Sequence, residues 1–187
     1  RSRPAALCTD TATSYEAILD SLDYVENQGN NIQTIALLEP PCPFRNGQLI
    51  DDVINFHHET GSSSMVTLKP VDDMHPVRMK KMDDVGRLEP VHRDFSEPEV
   101  GLPRQLQEPL FVRDTAVYAF DAAHLKKRSQ SLYGPDAHGM LNPSFTCNID
   151  NKIDLLTANA VHKAYCLNEW DLQIPKLIDY ETRLHNN

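Results

Sequence analysis

Apolar residues along this chain recur at two spacings in alternation, and that pattern confines it to mixed helix–sheet architectures. Tyr15, Ile18, Leu19 and Leu22 fall three or four apart, predicting a helix that runs to about Glu26. The stretch Asp10-Thr11-Ala12-Thr13-Ser14 offers several N-caps for it, and Gly29 a stop. Ile32 to Leu38 is instead a short continuous apolar run with the length of a buried strand, ended by Pro40, Pro41 and Pro43. Leu49, Val53, Ile54 and His57 return to helical spacing up to Gly61, and Ser64 to Leu68 reads as a second strand before Pro70. Strand, loop, helix, strand makes a βαβ unit, whose crossover is almost always right-handed.

Residues 72–112 depart from this rhythm, being rich in proline and charge, with a hairpin expected around Asp83-Asp84-Val85-Gly86. Such an excursion from an α/β sheet serves as a lid or an oligomer arm. Thr115 to Phe120 is strand-like again, and Asp121 caps a short helix with Leu125 on its inner face. A loop with Gly134, Pro135, Gly139 and Pro143 follows, then Phe145 to Ile149 as the last strand and Asp150 to about Tyr165 as the last helix. The whole, at 187 residues, suits a single α/β domain.

Charge and cysteine usage narrow the partners. Lys and Arg total 18 against 27 Asp and Glu, a formal charge of −9, which argues against general nucleic-acid binding because phosphate backbones need a basic face. A few placed Arg and Lys suffice for a small anion. Mean hydropathy is −0.47, and no apolar run reaches the length of a membrane span. Cys8, Cys42, Cys147 and Cys166 are widely spread without a C-x-x-C pair, fitting free thiols in a reducing cytoplasm better than a zinc knot or a disulfide scaffold. None of the eight histidines has a metal-binding spacing. The opening Arg1-Ser2-Arg3-Pro4 is no signal peptide and lacks an initiating Met, so it reads as a cut end.

The segment Leu37-Leu38-Glu39-Pro40-Pro41-Cys42-Pro43-Phe44-Arg45 would leave the C-terminal end of a strand, where open α/β sheets bind ligands. Arg45 either pairs with a phosphate or carboxylate or is a solvent-facing arginine on a stiff connector. Cys42, with no histidine paired to it in sequence, reads as a passive loop thiol rather than a nucleophile.

This segment resembles the L-L-Q-P-T-S-P-L-R signature of the acylneuraminate cytidylyltransferase family. Arg3-Pro4-Ala5-Ala6-Leu7-Cys8-Thr9-Asp10-Thr11-Ala12-Thr13-Ser14 is similar to that family's R-P-A-x-L-x-x-D-T-A-S-S. His75-Pro76-Val77-Arg78 resembles H-P-x-K, Pro103-Arg104-Gln105 resembles P-R-Q, Tyr118 matches the tyrosine of N-G-A-I-Y, and Ile149-Asp150-Asn151-Lys152-Ile153-Asp154 resembles I-D-T-x-x-D. These strings occur in the family's order over residues 3–155.

The resemblance implies an α/β fold of the Rossmann-like nucleotidyltransferase (glycosyltransferase-A-like) type, a three-layer sandwich with a protruding dimerisation arm over residues 72–114. Residues 166–187 would be a C-terminal tail. The implied reaction joins an acidic nine-carbon keto-sugar of the N-acetylneuraminic type to CMP, using CTP and magnesium, releasing pyrophosphate, in a cytoplasmic homodimer. Legionaminic, pseudaminic or octulosonic acid are alternative sugars, and a non-catalytic truncated dimeric domain is a further reading. Asp150, with Asn148 in place of the family's preceding acid, would hold magnesium; the other reading of Asp150 is an N-cap of the last helix. Asp150 and Arg45 are the expected catalytic residues. Ser14, Glu39, Arg78, Arg104 and Tyr118 would contact substrate, although Ser14 also suits a helix cap and Tyr118 the core. Asp154 reads as a helix-stabilising acid. Glu39, Pro41, Cys42, Asp114 and Thr115 depart from the family's residues, and these changes would alter the sugar pocket more than the frame. The family's glycine- and basic-rich nucleotide loop, with two strands, is expected ahead of residue 1.

Overall fold

The computed structural model describes residues 1–71, 74–91, 103, 107–128 and 131–169. Helix α1, Ser14–Glu26, starts because Thr13 accepts from the Glu16 backbone N–H while the Glu16 carboxylate takes the Thr13 N–H, a reciprocal capping box. Helix α2, Gly47–Thr60, starts under Asn46 and stops at Gly61 in the left-handed conformation. Between and after them run β1 (Thr34–Leu37), β2 (Ser64–Pro70), β3 (Lys80–Met82), β4 (Leu88–Pro90) and β5 (Phe111–Asp121). Helix α3 (Ala122–Lys126), capped by Asp121, β6 (Ala137–Leu141) and α4 (Lys152–Cys166) complete the described elements.

The main sheet has the order β1-β5-β2-β6. Both β1 and β2 pair antiparallel with β5, and β2 pairs parallel with β6. The βαβ expectation therefore holds for direction, since β1 and β2 run the same way, but β5 is inserted between them. Side chains alternate across the sheet and build two cores. On one face Val66, Tyr118 and Phe120 pack with Ile18, Leu19 and Leu22 of α1 and Leu125 of α3. On the other, Met65, Val117 and Ala119 pack with Leu49 and Val53 of α2 and with Cys42. Helix, sheet, helix is the three-layer arrangement expected.

Several expectations are corrected. The run Ile32–Leu38 is not a buried strand: β1 covers only Thr34–Leu37 and is half-buried, because it pairs with β5 on one side and has no second strand neighbour among the described residues. The stretch around Gly139 is not a loop but β6. A Cβ at Gly139 would run into the Leu68 side chain, which lies over the bare glycine, and a glycine here breaks the apolar alternation. Phe145–Ile149 is not a strand of the sheet. It runs along the proline loop instead, with the Phe44 and Phe145 rings edge-on at 5.4 Å and Ile149 N–H donating to Pro41 O at 3.0 Å. Its apolar residues meet that loop, which gives the same pattern as a strand face.

The hairpin forms where expected. Strands β3 and β4 pair antiparallel, and the Asp83 carboxylate closes the turn by accepting from Val85 and Arg87 N–H at 3.0 and 2.8 Å. Its apolar side chains Met82, Val85 and Leu88 face solvent. Much of the remaining arm segment, with Arg104 and His92, and the tail beyond residue 169 lie outside the described residues.

Opposite the register shift between Val66 and Leu68, Thr115 sits at φ +64°. A β-branched residue is strained in this left-handed region, by about 1–3 kcal/mol. Thr115→Gly is expected to raise stability in urea by about 1 kcal/mol, the relief exceeding the glycine's added unfolded-state entropy. A variant less stable than its parent would refute the strain.

Candidate active site

The N-terminal turn of α1, the C-terminal end of β1 with the proline loop after it, and the segment before α4 converge on one cavity of about 690 Å³. Its floor is apolar, from Ile18, Leu22 and Val25 of α1 and Ile35 and Leu37 of β1. Its polar groups are Arg3, Ser14, Ser21, Glu39, Asn148 and Asp150. An apolar body with a few converging polar groups is the form small-molecule sites take. Four residues singled out from sequence, Ser14, Glu39, Asn148 and Asp150, meet here although up to 136 positions separate them.

Each is placed by its neighbours. Ser14 is the first residue of α1, and Thr13 does the capping, so the Ser14 hydroxyl is not the cap. The first turn of a helix also presents unpaired N–H groups and a partial positive charge. Glu39 follows β1 at the entry to the proline loop, and Pro40 and Pro41 beside it line the same wall. Asp150 is exposed, and it does not cap α4: Asn151 accepts from Ile153 and Asp154 N–H, while the Asp154 carboxylate takes Asn151 N–H. Asp154 is thus the helix-stabilising acid expected.

Asn148 donates through Nδ2 to Asp150 Oδ2 at 2.7 Å, and its own Oδ1 is buried without a hydrogen-bond partner among the described residues. A buried oxygen without a partner is costly and asks for an occupant. It is an oxygen of the hard type that magnesium accepts, although the amide turns its Nδ2, not this oxygen, toward the Asp150 carboxylate. By donor type alone, an amide oxygen and an exposed carboxylate, the two residues suit the ion. No cluster of three or more His, Cys, Asp or Glu able to hold a metal occurs among the described residues.

Other expected site residues lie elsewhere. Arg45 does not line the cavity; its Nη1 donates to Ala116 O at 3.1 Å, tying the proline loop to β5. Tyr118 is buried in the α1-side core, stacked on Phe120 at 6.2 Å. Burial, and then the Glu39 carboxylate, push its phenol above the ordinary tyrosine range. The Glu39 charge is therefore felt at Tyr118 although that ring does not line the cavity. Arg78 is exposed at the end of a 3-10 turn near the hairpin, away from the cavity lining. His75 caps that turn: it is buried, with Nδ1 accepting from Val77 N–H and Nε2 bonded to Glu108 O. Cys42 is fully buried, and burial raises its thiol, as suits a passive residue.

Asp114 and Thr115 do not belong to the cavity wall either, which corrects the expectation that their substitution alters mainly a pocket. Asp114 is buried behind the sheet, accepting from Ala116 N–H at 3.0 Å, Asn142 Nδ2 at 2.7 Å and Thr67 Oγ1. It belongs to the frame. Conversely, Arg3 lines the cavity and was given no role from sequence. Its only signal was membership of the Arg3–Ser14 string, since a lone terminal arginine has no periodicity to mark it.

No family model matches this chain. Over 156 residues it is 24% identical to CMP-N,N'-diacetyllegionaminic acid synthase of Legionella pneumophila, covering 81% of this chain and 63% of that protein's length. The chain thus spans somewhat less than two thirds of that curated relative. The fold is similar to that of 4-diphosphocytidyl-2C-methyl-D-erythritol synthase from Anaerococcus prevotii, with a TM-score of 0.51 at 15% identity, covering 82% of this chain and 68% of that one. The fold is therefore the mixed α/β, Rossmann-like one that this synthase has. No helix among the described residues is long and apolar enough to cross a membrane.

Proposed function

We propose that the chain belongs to a cytidylyltransferase that activates an acidic nine-carbon keto-sugar with CTP, and that it carries the sugar- and metal-facing side of that site. The observation that carries this reading is the single cavity at the end of β1, which collects Arg3, Ser14, Glu39, Asn148 and Asp150 from three separate segments. The likeness to the legionaminic acid enzyme and the shared fold support it.

The reaction is attack by the sugar's anomeric hydroxyl on the α-phosphate of CTP with pyrophosphate leaving, and such chemistry depends on positioning and on neutralising charge. Arg3 would bring a permanently charged guanidinium to the cavity, suited to a phosphate or carboxylate through its planar fork. Ser14 offers a hydroxyl donor at the positive end of α1. Asn148 and Asp150 would hold magnesium, which when bound supplies charge neutralisation at the phosphates. Glu39 only accepts hydrogen bonds, so it favours a sugar face rich in N–H and O–H groups. Such a face suits a legionaminic-type sugar with two acetamido groups at least as well as N-acetylneuraminic acid. Two copies pairing through residues 72–114 would complete the enzyme, consistent with the exposed Met82, Val85 and Leu88 of the hairpin, and the cytoplasm is the compartment that holds CTP.

The test is pyrophosphate release from CTP and magnesium with N-acetylneuraminic, diacetyllegionaminic, pseudaminic and octulosonic acids in turn. Turnover should be highest with a nine-carbon acid, and with diacetyllegionaminic acid at least equal to N-acetylneuraminic acid. Activity on the octulosonate alone would reject the nine-carbon reading. Absence of both turnover and CTP binding by calorimetry would favour a non-catalytic dimeric domain.

A further inference from the structure

We propose that residues 170–187 fold back over an exposed apolar stripe of α4 in the same molecule. Ile153, Leu156, Ala160 and Leu167 follow one another at three, four and seven positions, which lines them up along one side of the helix. Ile153, Leu156 and Leu167 are 73%, 60% and 55% exposed. On the side of α4 that meets the domain, Ala158 is the buried residue among those described. A helix of 15 residues is marginal in water by itself, and helices in proteins draw most of their stability from packing an apolar face. The apolar face of α4 therefore calls for a cover.

The chain carries one. Residues 170–187 lie outside the described residues, and their sequence includes Trp170, Leu172, Ile174, Leu177, Ile178 and Leu184. They are joined to the Leu167 end of the stripe by a Schellman motif. Asn168 is left-handed at φ +55°, its N–H donates to Tyr165 O at 3.0 Å, and Glu169 N–H donates to Ala164 O at 2.9 Å. The left-handed residue carries the backbone off the helix axis. From Leu167 back to Ile153 the stripe is about 21 Å long, at 1.5 Å per residue. Residues 170–187 can span up to about 60 Å, at roughly 3.3 Å per residue, so length allows the whole stripe to be covered. A segment tethered to the helix it covers meets it at an effective concentration of the order of millimolar, which favours it over a second copy of the chain.

Helix α4 begins two residues after Asp150, so this cover would also steady the wall of the cavity that carries Asn148 and Asp150. The docking draws nothing from the proposed sugar chemistry, so the two readings fail separately.

Trp170 is the sole tryptophan, and its fluorescence in the full chain tests the docking directly. Native emission should lie well to the blue of the urea-unfolded chain and resist quenching by iodide. Leu156→Asp, in the stripe, should move the emission to the red and restore quenching, while helical circular dichroism and a cooperative urea transition persist. Leu156→Gln is gentler and should give a smaller shift of the same sign. Leu155→Asp, on another side of α4, should leave the emission in place. Native emission already at the unfolded position, blue emission indifferent to both Leu156 variants, or an equal shift from Leu155→Asp would each overturn the proposal. So would a blue emission lost on dilution, because a second copy would then be the cover.

Discussion

Asp114→Ala should destabilise the fold by about 3–5 kcal/mol, because it leaves two buried donors, Asn142 Nδ2 and Ala116 N–H, without an acceptor at roughly 1–3 kcal/mol each and removes the buried bond from Thr67. Asn142 is fully buried, and its Nδ2 has the Asp114 carboxylate 2.7 Å away; Ala116 N–H points at the other carboxylate oxygen at 3.0 Å. Thr67 Oγ1 also bonds to Asp114, and it links β2 to Val117 of β5 besides. A loss of this size is a large part of the roughly 5–15 kcal/mol that holds a domain together. Asp114→Asn should be milder. Its amide oxygen still accepts, but its NH₂ would confront the Asn142 NH₂, and Asn142 is held in that orientation because its Oδ1 accepts from Ser144 N–H at 2.9 Å. Urea unfolding of the two variants checks the order; equal losses, or a loss below about 1 kcal/mol for alanine, would show that the network is dispensable.

The second large effect concerns turnover rather than folding. On the proposed reading, Asp150→Ala should lower magnesium-dependent pyrophosphate release by about 100- to 1000-fold, the range for removing one preorganised electrostatic contact. Stability should stay within about 0.5 kcal/mol, because Asp150 is exposed and α4 is capped by Asn151 and Asp154 without its carboxylate. The two readouts must therefore separate. Unchanged activity with unchanged magnesium dependence would remove Asp150 from the site, whereas loss of both stability and activity would make it structural.

Much of the fold was legible along the chain because helix periodicity and caps are local. Ile18, Leu19 and Leu22 mark the buried face of α1 three and four residues apart, and the Thr13 and Asn151 boxes begin their helices from within four residues. Strand reading failed where the determining contact was remote. Gly139 looks like a loop residue until Leu68, 71 positions earlier, is seen to occupy the space of its missing side chain. Phe145–Ile149 looks like a strand because packing on the proline loop gives the same apolar alternation as packing on a sheet.

The site divides in the same way. Sequence determined which groups have suitable chemistry: a hydroxyl at a helix start, an acid after a strand, an amide and a carboxylate before a helix. It also determined the α/β class, because two periodicities allow few other layer arrangements. Only the tertiary structure decided that Ser14, Glu39, Asn148 and Asp150 share one cavity with Arg3, while Arg45 and Tyr118 do not line it and Asp114 supports the sheet. The physical reason is that a residue's chemistry is fixed by its own atoms, whereas its access to a ligand is set by what the rest of the chain places around it, and strand order and register are settled by contacts far apart in sequence.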